Sequence, residues 1–260
     1  MEELIKNEIN SLEMFGASSA NNDDNKHLWI KSASLFINQT ISLIKKIDPK
    51  YNIRIYDISS FNNENADKLG NILKRNRSDK STLHNYHYFY SYIFSRQDED
   101  ISNILEIGLG TNNPDIVSTM GINGRPGASL YSWKEFLSNT NIYGADIDKD
   151  ILFNEDRIKT CFVDQLEIET FNNIKEEFGD IKYDIIIDDG LHSIGANFNT
   201  LLFALDNIKK NGWIIIEDVS VKKINTWFAV NYILIRNKNI ETFFVKARHA
   251  FMICIHNLGI

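Results

Sequence analysis

Two apolar runs of the chain each end on a pair of adjacent acids: Asp188 and Asp189 in "YDIIIDDGLHS", and Glu217 and Asp218 in "GWIIIEDV". Like charges side by side repel, so such pairs need a positive partner or open water. If the two runs are neighbouring strands, their carboxyl ends bring Asp189, Glu217 and Asp218 into one cleft. Carboxylate oxygens with open positions beside them suit a magnesium ion, whose octahedron is completed by water or substrate oxygens. His192 follows the first pair within the same loop.

A second group of residues lies at the ends of other apolar runs. "LEIGLG" carries Glu106, Gly108 and Gly110, where the glycines let the backbone turn closely against a ligand. "NIYGAD" ends on Asp146, an acid that can accept both hydrogen bonds of a ribose diol. "CFVDQ" ends on Asp164 and Gln165, which suit an adenine amino group. A lone acid at a strand end often does no more than solvate a loop; acids on successive strands are harder to explain that way. A pyrophosphate would need a glycine-rich turn running straight into a helix. Here a long insert follows Gly110, and Glu106 would repel phosphate. A cationic cofactor without phosphate, S-adenosylmethionine, fits better.

The elements that must hold these residues read as follows. From about Ile101 short apolar runs alternate with helical stretches: "NILEIGLG", "NIYGADID", "RIKTCFVD", "YDIIIDDG", "GWIIIEDV", "ETFFVKAR" and "FMICIHN". Alternation of strands and helices implies βαβ crossovers and a mostly parallel sheet. The last two runs are separated only by a few residues around His249, too few for a crossover helix, so they pair as an antiparallel hairpin. The expected fold is α/β, a Rossmann-like, mostly parallel seven-stranded sheet with a C-terminal antiparallel hairpin. Residues 1–80 are expected to form a mainly helical cap or oligomerisation segment, and 81–260 the sheet domain. Within the first segment, two helices are expected between Glu2 and Ile47, a short strand at "YNIRIYDIS" and a helix at "NADKLGNILKRN". The aromatic stretch "HNYHYFYSYIF" reads as a helix over the cofactor edge of the sheet, with Tyr86 or Tyr90 reaching the site. His84 and His87 lack a third soft ligand nearby and are not read as a metal pair. Trp29, Trp133, Trp213 and Trp227 are expected in the core or at interfaces.

Composition bounds the function. With 260 residues the chain can bury a full α/β core. A net charge of −7 gives no general attraction to a phosphate backbone, so nucleic acid is not the expected partner. No apolar run approaches the roughly 20 residues of a membrane span, and the acidic start is unlike a secretory signal. Cys161 and Cys254 sit in apolar runs and read as reduced core residues of a cytoplasmic protein.

The set "ILEIGLG", "GASLYSWKEFL", "IYGADID", "RIKTCFVDQ", "YDIIIDDGLH" and "GWIIIEDV" resembles the class I S-adenosylmethionine-dependent methyltransferases. More narrowly, it is similar to the magnesium-dependent sugar O-methyltransferases of the macrocin and mycinamicin type. The resemblance covers roughly residues 86–219, and its paired acids at this spacing are more specific than the glycine turn. It implies S-adenosylmethionine and Mg2+ as cofactors, with Asp189, Glu217 and Asp218 on the metal, His192 as general base and Asp188 toward the cofactor. It also implies that the loop from Thr111 to Pro126 closes over bound ligands. The expected acceptor is a hydroxyl of a sugar or glycosylated small molecule, in natural-product or capsular polysaccharide biosynthesis, on a homo-oligomeric enzyme. A phosphoramidate or phosphorylated capsule precursor, a catechol-like diol, or a non-catalytic binding module of the same fold are the alternatives.

Overall fold

The computed structural model describes residues 22–96 and 101–259. Contacts divide the chain into two units, one ending at Tyr51 and one running from Asn52 to Ile260. In the first, helix α1 spans Asn22–Ile47, with Lys45 and Lys46 in its last turn, where the helix dipole favours cations. The other helix expected before it lies outside the described residues.

The second unit is built on one eight-stranded sheet in the order β1-β7-β8-β6-β5-β2-β3-β4. Its strands are β1 (Ile55–Asp57), β2 (Asn103–Ile107), β3 (Asn141–Asp146), β4 (Ile158–Phe162), β5 (Tyr183–Asp188), β6 (Ile208–Val219), β7 (Ile240–Lys246) and β8 (Phe251–Asn257). The helices are α2 (Ala66–Arg75), α3 (His87–Arg96), α4 (Ala128–Phe136), α5 (Asn172–Phe178), α6 (Ile194–Asn207) and α7 (Ile224–Leu234). All neighbouring strands are parallel except β6 with β8 and β7 with β8, so the expected terminal hairpin is present. The expected strand number was one short. The sheet gains an edge from β1, which pairs in parallel with β7 and comes from the segment expected to be a separate appendage. For the same reason the division at residue 80 is not where contacts separate, and residues 52–80 belong with the sheet.

Strand alternation sorts the core into two layers. Ile104, Ile185, Ile187 and Ile215 face one side, with Leu69, Tyr86, Phe89, Tyr90 and Trp133. Leu105, Ile186, Ile214 and Ile216 face the other, with Ile174, Leu201 and Trp227. Trp213 packs against the first layer; the side chain of Trp29 lies outside the described residues. Both cysteines are buried and free. No helix among the described residues is long and apolar enough to cross a membrane.

Candidate active site

The carboxyl ends of β2, β3, β5 and β6 open into a cavity of about 410 Å³, a size suited to a small-molecule ligand. Strand β2 has β3 on one side and β5 on the other, the reversal point at which open parallel sheets bind ligands. Gly108, Gly110, Asp146, Asp164 and Gln165 line one part of this cavity, and Asp189, His192, Glu217 and Asp218 another.

Close backbone approach explains the glycines. Gly108 has φ +97, and a Cβ there would overlap the Asp189 carbonyl, so this turn and the loop after β5 touch through backbone alone. Gly110, at φ +76, would collide with the Met120 side chain. Asp146 fixes the same turn: its Oδ2 accepts from Leu109 N at 2.6 Å and its Oδ1 from Asp148 N at 2.9 Å. Burial raises the pKa of Asp146, and these backbone donors oppose the rise. Asp164 Oδ1 accepts from Leu166 N at 2.9 Å.

Two acids expected to face the cofactor do not reach the cavity. Asp188 is fully buried and, by alternation, shares the side of Ile186, beneath α6. There it accepts from Gln165 Nε2 at 2.9 Å and from Asn197 Nδ2 at 3.0 Å. Gln165 therefore spends its amide on Asp188 and Thr200, and its Oε1 accepts from Leu191 N at 2.7 Å, so it braces the loop that carries His192. Glu106 points to the opposite layer and accepts from Ser129 Oγ at 2.7 Å and Trp133 Nε1 at 2.6 Å. Its carboxyl is buried beneath the glycine turn, and burial raises its pKa.

The second acid pair is arranged by an irregularity in β6. The register against β8 shifts between Ile216 and Val219, and Asp218 adopts φ +54, a left-handed conformation uncommon for a residue with a side chain. The bulge interrupts the alternation, so Glu217 and Asp218 both meet residues of the α3 layer. Asp218 Oδ1 accepts from Tyr86 Oη at 2.5 Å and lies 3.2 Å from His84 Nδ1; Glu217 Oε1 accepts from the Tyr90 hydroxyl. Tyr86 and Tyr90, expected to reach the site, each hydrogen-bond one acid of this pair from the buried side, and neither lines the cavity. His87 packs instead against Tyr88 and beneath Gly70.

His192 also has a left-handed backbone, at φ +55, and Ser193 then caps α6 by accepting from Ala196 N at 3.2 Å. Its Nε2 lies 3.6 Å from Asp218 Oδ2 and 3.9 Å from Asp189 Oδ1. Asp189, His192 and Asp218 each offer a ligand atom within 4.8 Å of the others, a donor set that fits a divalent cation. Glu217, expected in that set, lines the cavity from below, with one oxygen on Tyr90 and the other on Lys80.

Lys80 is the site residue that the sequence did not disclose. Its Nζ donates at 2.6 Å to Asp189 Oδ2 and at 2.6 Å to Glu217 Oε2, and lies 3.4 Å from Glu106 Oε1. Burial alone would lower its pKa, but the three carboxylates outweigh that and hold the ammonium well above its usual value. Burial pushes Glu217 up, with its acidic neighbours adding and Lys80 opposing. Its segment, "NRSDKSTLH", is mostly polar and carries no local mark of a buried lysine; the surplus of acids at strand ends is the one sequence feature that calls for such a charge.

No family model matches the chain. It is 30% identical over 155 residues to the 8-demethyl-8-(2-methoxy-alpha-L-rhamnosyl)-tetracenomycin-C 3'-O-methyltransferase of Streptomyces olivaceus, covering 58% of this chain and 36% of that protein. It is 34% identical over 139 residues to the mycinamicin VI 2''-O-methyltransferase of Micromonospora griseorubida, covering 51% of this chain and 32% of that one. The chain thus spans about a third of the length of these curated relatives. Among solved structures it is similar to the MycE methyltransferase from the mycinamycin biosynthetic pathway in complex with Mg and SAH. The TM-score is 0.57 at 23% identity, over 73% of this chain and 54% of that one. The fold is that of this methyltransferase, and the resemblance to the macrocin and mycinamicin type rests on the sequence matches over about half of the chain.

Proposed function

We propose that the chain is an S-adenosylmethionine- and magnesium-dependent O-methyltransferase acting on a hydroxyl of a sugar-bearing small molecule. The observation that carries this reading is a single cavity with the Gly108–Gly110 turn at one part and the Asp189, His192 and Asp218 cluster at another. The curated relatives, all named as O-methyltransferases, support the reaction class.

Gly108 and Gly110 would admit the cofactor close to the backbone, with Asp146 at its ribose and Asp164 at the adenine, while Gln165, its amide already engaged, braces the loop beside them. Glu106 and Asp188 act from below: the first anchors α4 through Ser129 and Trp133, the second holds Gln165. Bound S-adenosylmethionine supplies an electrophilic methyl group on a sulfonium. Asp189 and Asp218, with Glu217 behind them, would hold the magnesium ion, whose charge lowers the pKa of a nearby hydroxyl. A hard cation prefers the carboxylate oxygens, which leaves His192 Nε2 to take the acceptor proton. Asp189 and Asp218, both near Nε2, would then stabilise the imidazolium that forms. The chain's contribution to rate is to orient the hydroxyl and keep the base in reach.

The test is incubation of the full chain with methyl-labelled S-adenosylmethionine and Mg2+ against macrolide glycosides, nucleotide sugars and capsule precursors, read by mass. The expected product is a glycoside heavier by one labelled methyl. Absence of both transfer and calorimetric binding of S-adenosylhomocysteine would sink the reading and favour a binding module.

A further inference from the structure

Lys80 lies between α2 and α3 with its side chain 2% exposed, and its Nζ sits where the ends of β2, β5 and β6 converge. We infer that Lys80 is the positioning residue of the proposed cation site, a resident positive charge that holds Asp189 and Glu217 in place whether or not a divalent cation is bound. This rests on the reading of Asp189 and Asp218 as holders of the cation, and adds to it how the acids stay together in the cation's absence.

The choice of oxygens supports it. Lys80 takes Oδ2 of Asp189, so that Oδ1 is the oxygen nearest His192 Nε2. It takes Oε2 of Glu217 while Tyr90 donates to Oε1, so that side chain is fixed at both oxygens.

The charge balance supports it independently. Glu106 and Glu217 are almost wholly buried and share one ammonium with Asp189. Buried carboxylates deprived of a counter-charge destabilise a fold strongly, because they have lost water and gained nothing in return. Lys80 supplies that counter-charge from within the chain.

The backbone ties the same residue to the other acid of the pair. Lys80 O accepts from Tyr86 N at 2.7 Å, and Tyr86 Oη donates to Asp218 at 2.5 Å. One short segment therefore sets Asp189 and Glu217 through the ammonium, and Asp218 through Tyr86. An alternative role for Lys80 as a nucleophile is disfavoured, since its ammonium is buried among acids and fully engaged.

The test compares wild type with Lys80→Met and Lys80→Arg in the full chain. Thermal melts are run in chelator and in saturating Mn2+, with Mn2+ binding followed by electron paramagnetic resonance. The expected result is that Lys80→Met melts roughly 10 °C below wild type in chelator. Mn2+ should recover at least half of that loss, and Lys80→Arg should fall between the two. If Lys80→Met fails to fold even with Mn2+, adding Glu217→Gln should restore folding by removing an unpaired acid. A melting loss of equal size with and without Mn2+, or a double variant no better than the single one, would overturn the inference. Wild type that binds no Mn2+ would instead overturn the cation reading, and this inference with it.

Discussion

His192 and Asp218 face each other with Nε2 3.6 Å from Oδ2, and both hold left-handed backbones, at φ +55 and +54. Residues with a Cβ pay about 1–2 kcal/mol for this conformation. Strain of this kind persists where the surroundings fix it, and here it lies on two residues of the candidate site. Replacing His192 by glycine should relieve the strain and remove the base together. We expect His192→Gly to keep or raise stability by up to about 1 kcal/mol. Methyl transfer should fall on the order of 10²- to 10⁴-fold while S-adenosylhomocysteine still binds. Denaturant melts and transfer assays on one preparation check both; undiminished transfer would remove His192 from the reaction.

The two loops at the carboxyl ends of β2 and β5 meet through glycine backbone, which makes Gly108 intolerant of any side chain. In Gly108→Ala the new Cβ would overlap the Asp189 carbonyl at a φ of +97. Cofactor binding should be lost, with a destabilisation of about 2 kcal/mol or more. Gly195, in the first turn of α6, has nothing within 4 Å of its would-be Cβ. Gly195→Ala should stabilise the protein by roughly 0.5–1 kcal/mol with binding unchanged. Equal tolerance at both positions, measured by calorimetry with S-adenosylhomocysteine, would contradict the packing described.

Asp188 should give stability a pH dependence of defined sign. Burial raises its carboxyl above the ordinary 3.8, against hydrogen bonds from Asn197, Gln165 and Gly190. The folded state therefore keeps this proton to higher pH than the unfolded state does. The stabilising contribution is complete below the unfolded pKa and is lost as pH rises through the folded one. Asp188→Asn cannot ionise, so the stability of wild type relative to this variant should decline from about pH 4 upward. Chemical melts of both proteins across that range test it; a relative stability that increases with pH would show that the hydrogen bonds outweigh burial.

Cys161 is held as a neutral thiol. Burial, with a smaller effect of Glu177, pushes its pKa up to about 12, and burial likewise holds Cys254 well above the usual thiol range. A thiolate is the reactive species, so neither cysteine should react with a disulfide reagent near pH 8 in the native protein. Both should react on denaturation. A fast native phase of one thiol would place Cys161 or Cys254 nearer solvent than the fold allows.

Much of the sheet was legible because strand and helix periodicities are local. The runs ending at Glu106, Asp146, Asp188 and Glu217 each form parallel strands, and the short link around His249 gives the terminal hairpin. The short strand at "YNIRIYDIS" is legible, but its place at the sheet edge is not: a three-residue strand, Ile55–Asp57, joins the sheet only through its partner β7. The cluster at Asp189 and Asp218 was also legible, since sequential βαβ strands are neighbours, and β5 does lie beside β6.

Which way each acid points was a different matter. The sequence by itself determined that acids and glycines end successive strands, and that those ends share one edge of a parallel sheet. Only the tertiary structure decided that Glu106 turns to Trp133, that Asp188 turns to Asn197, and that a bulge brings Asp218 round to Tyr86 and His192. Only it delivered Lys80 from a polar loop to three carboxylates. The reason is physical: periodicity fixes a residue's side of its own strand, whereas its partners are set by whichever distant segment packs there, and a buried charge settles where another buried charge needs it.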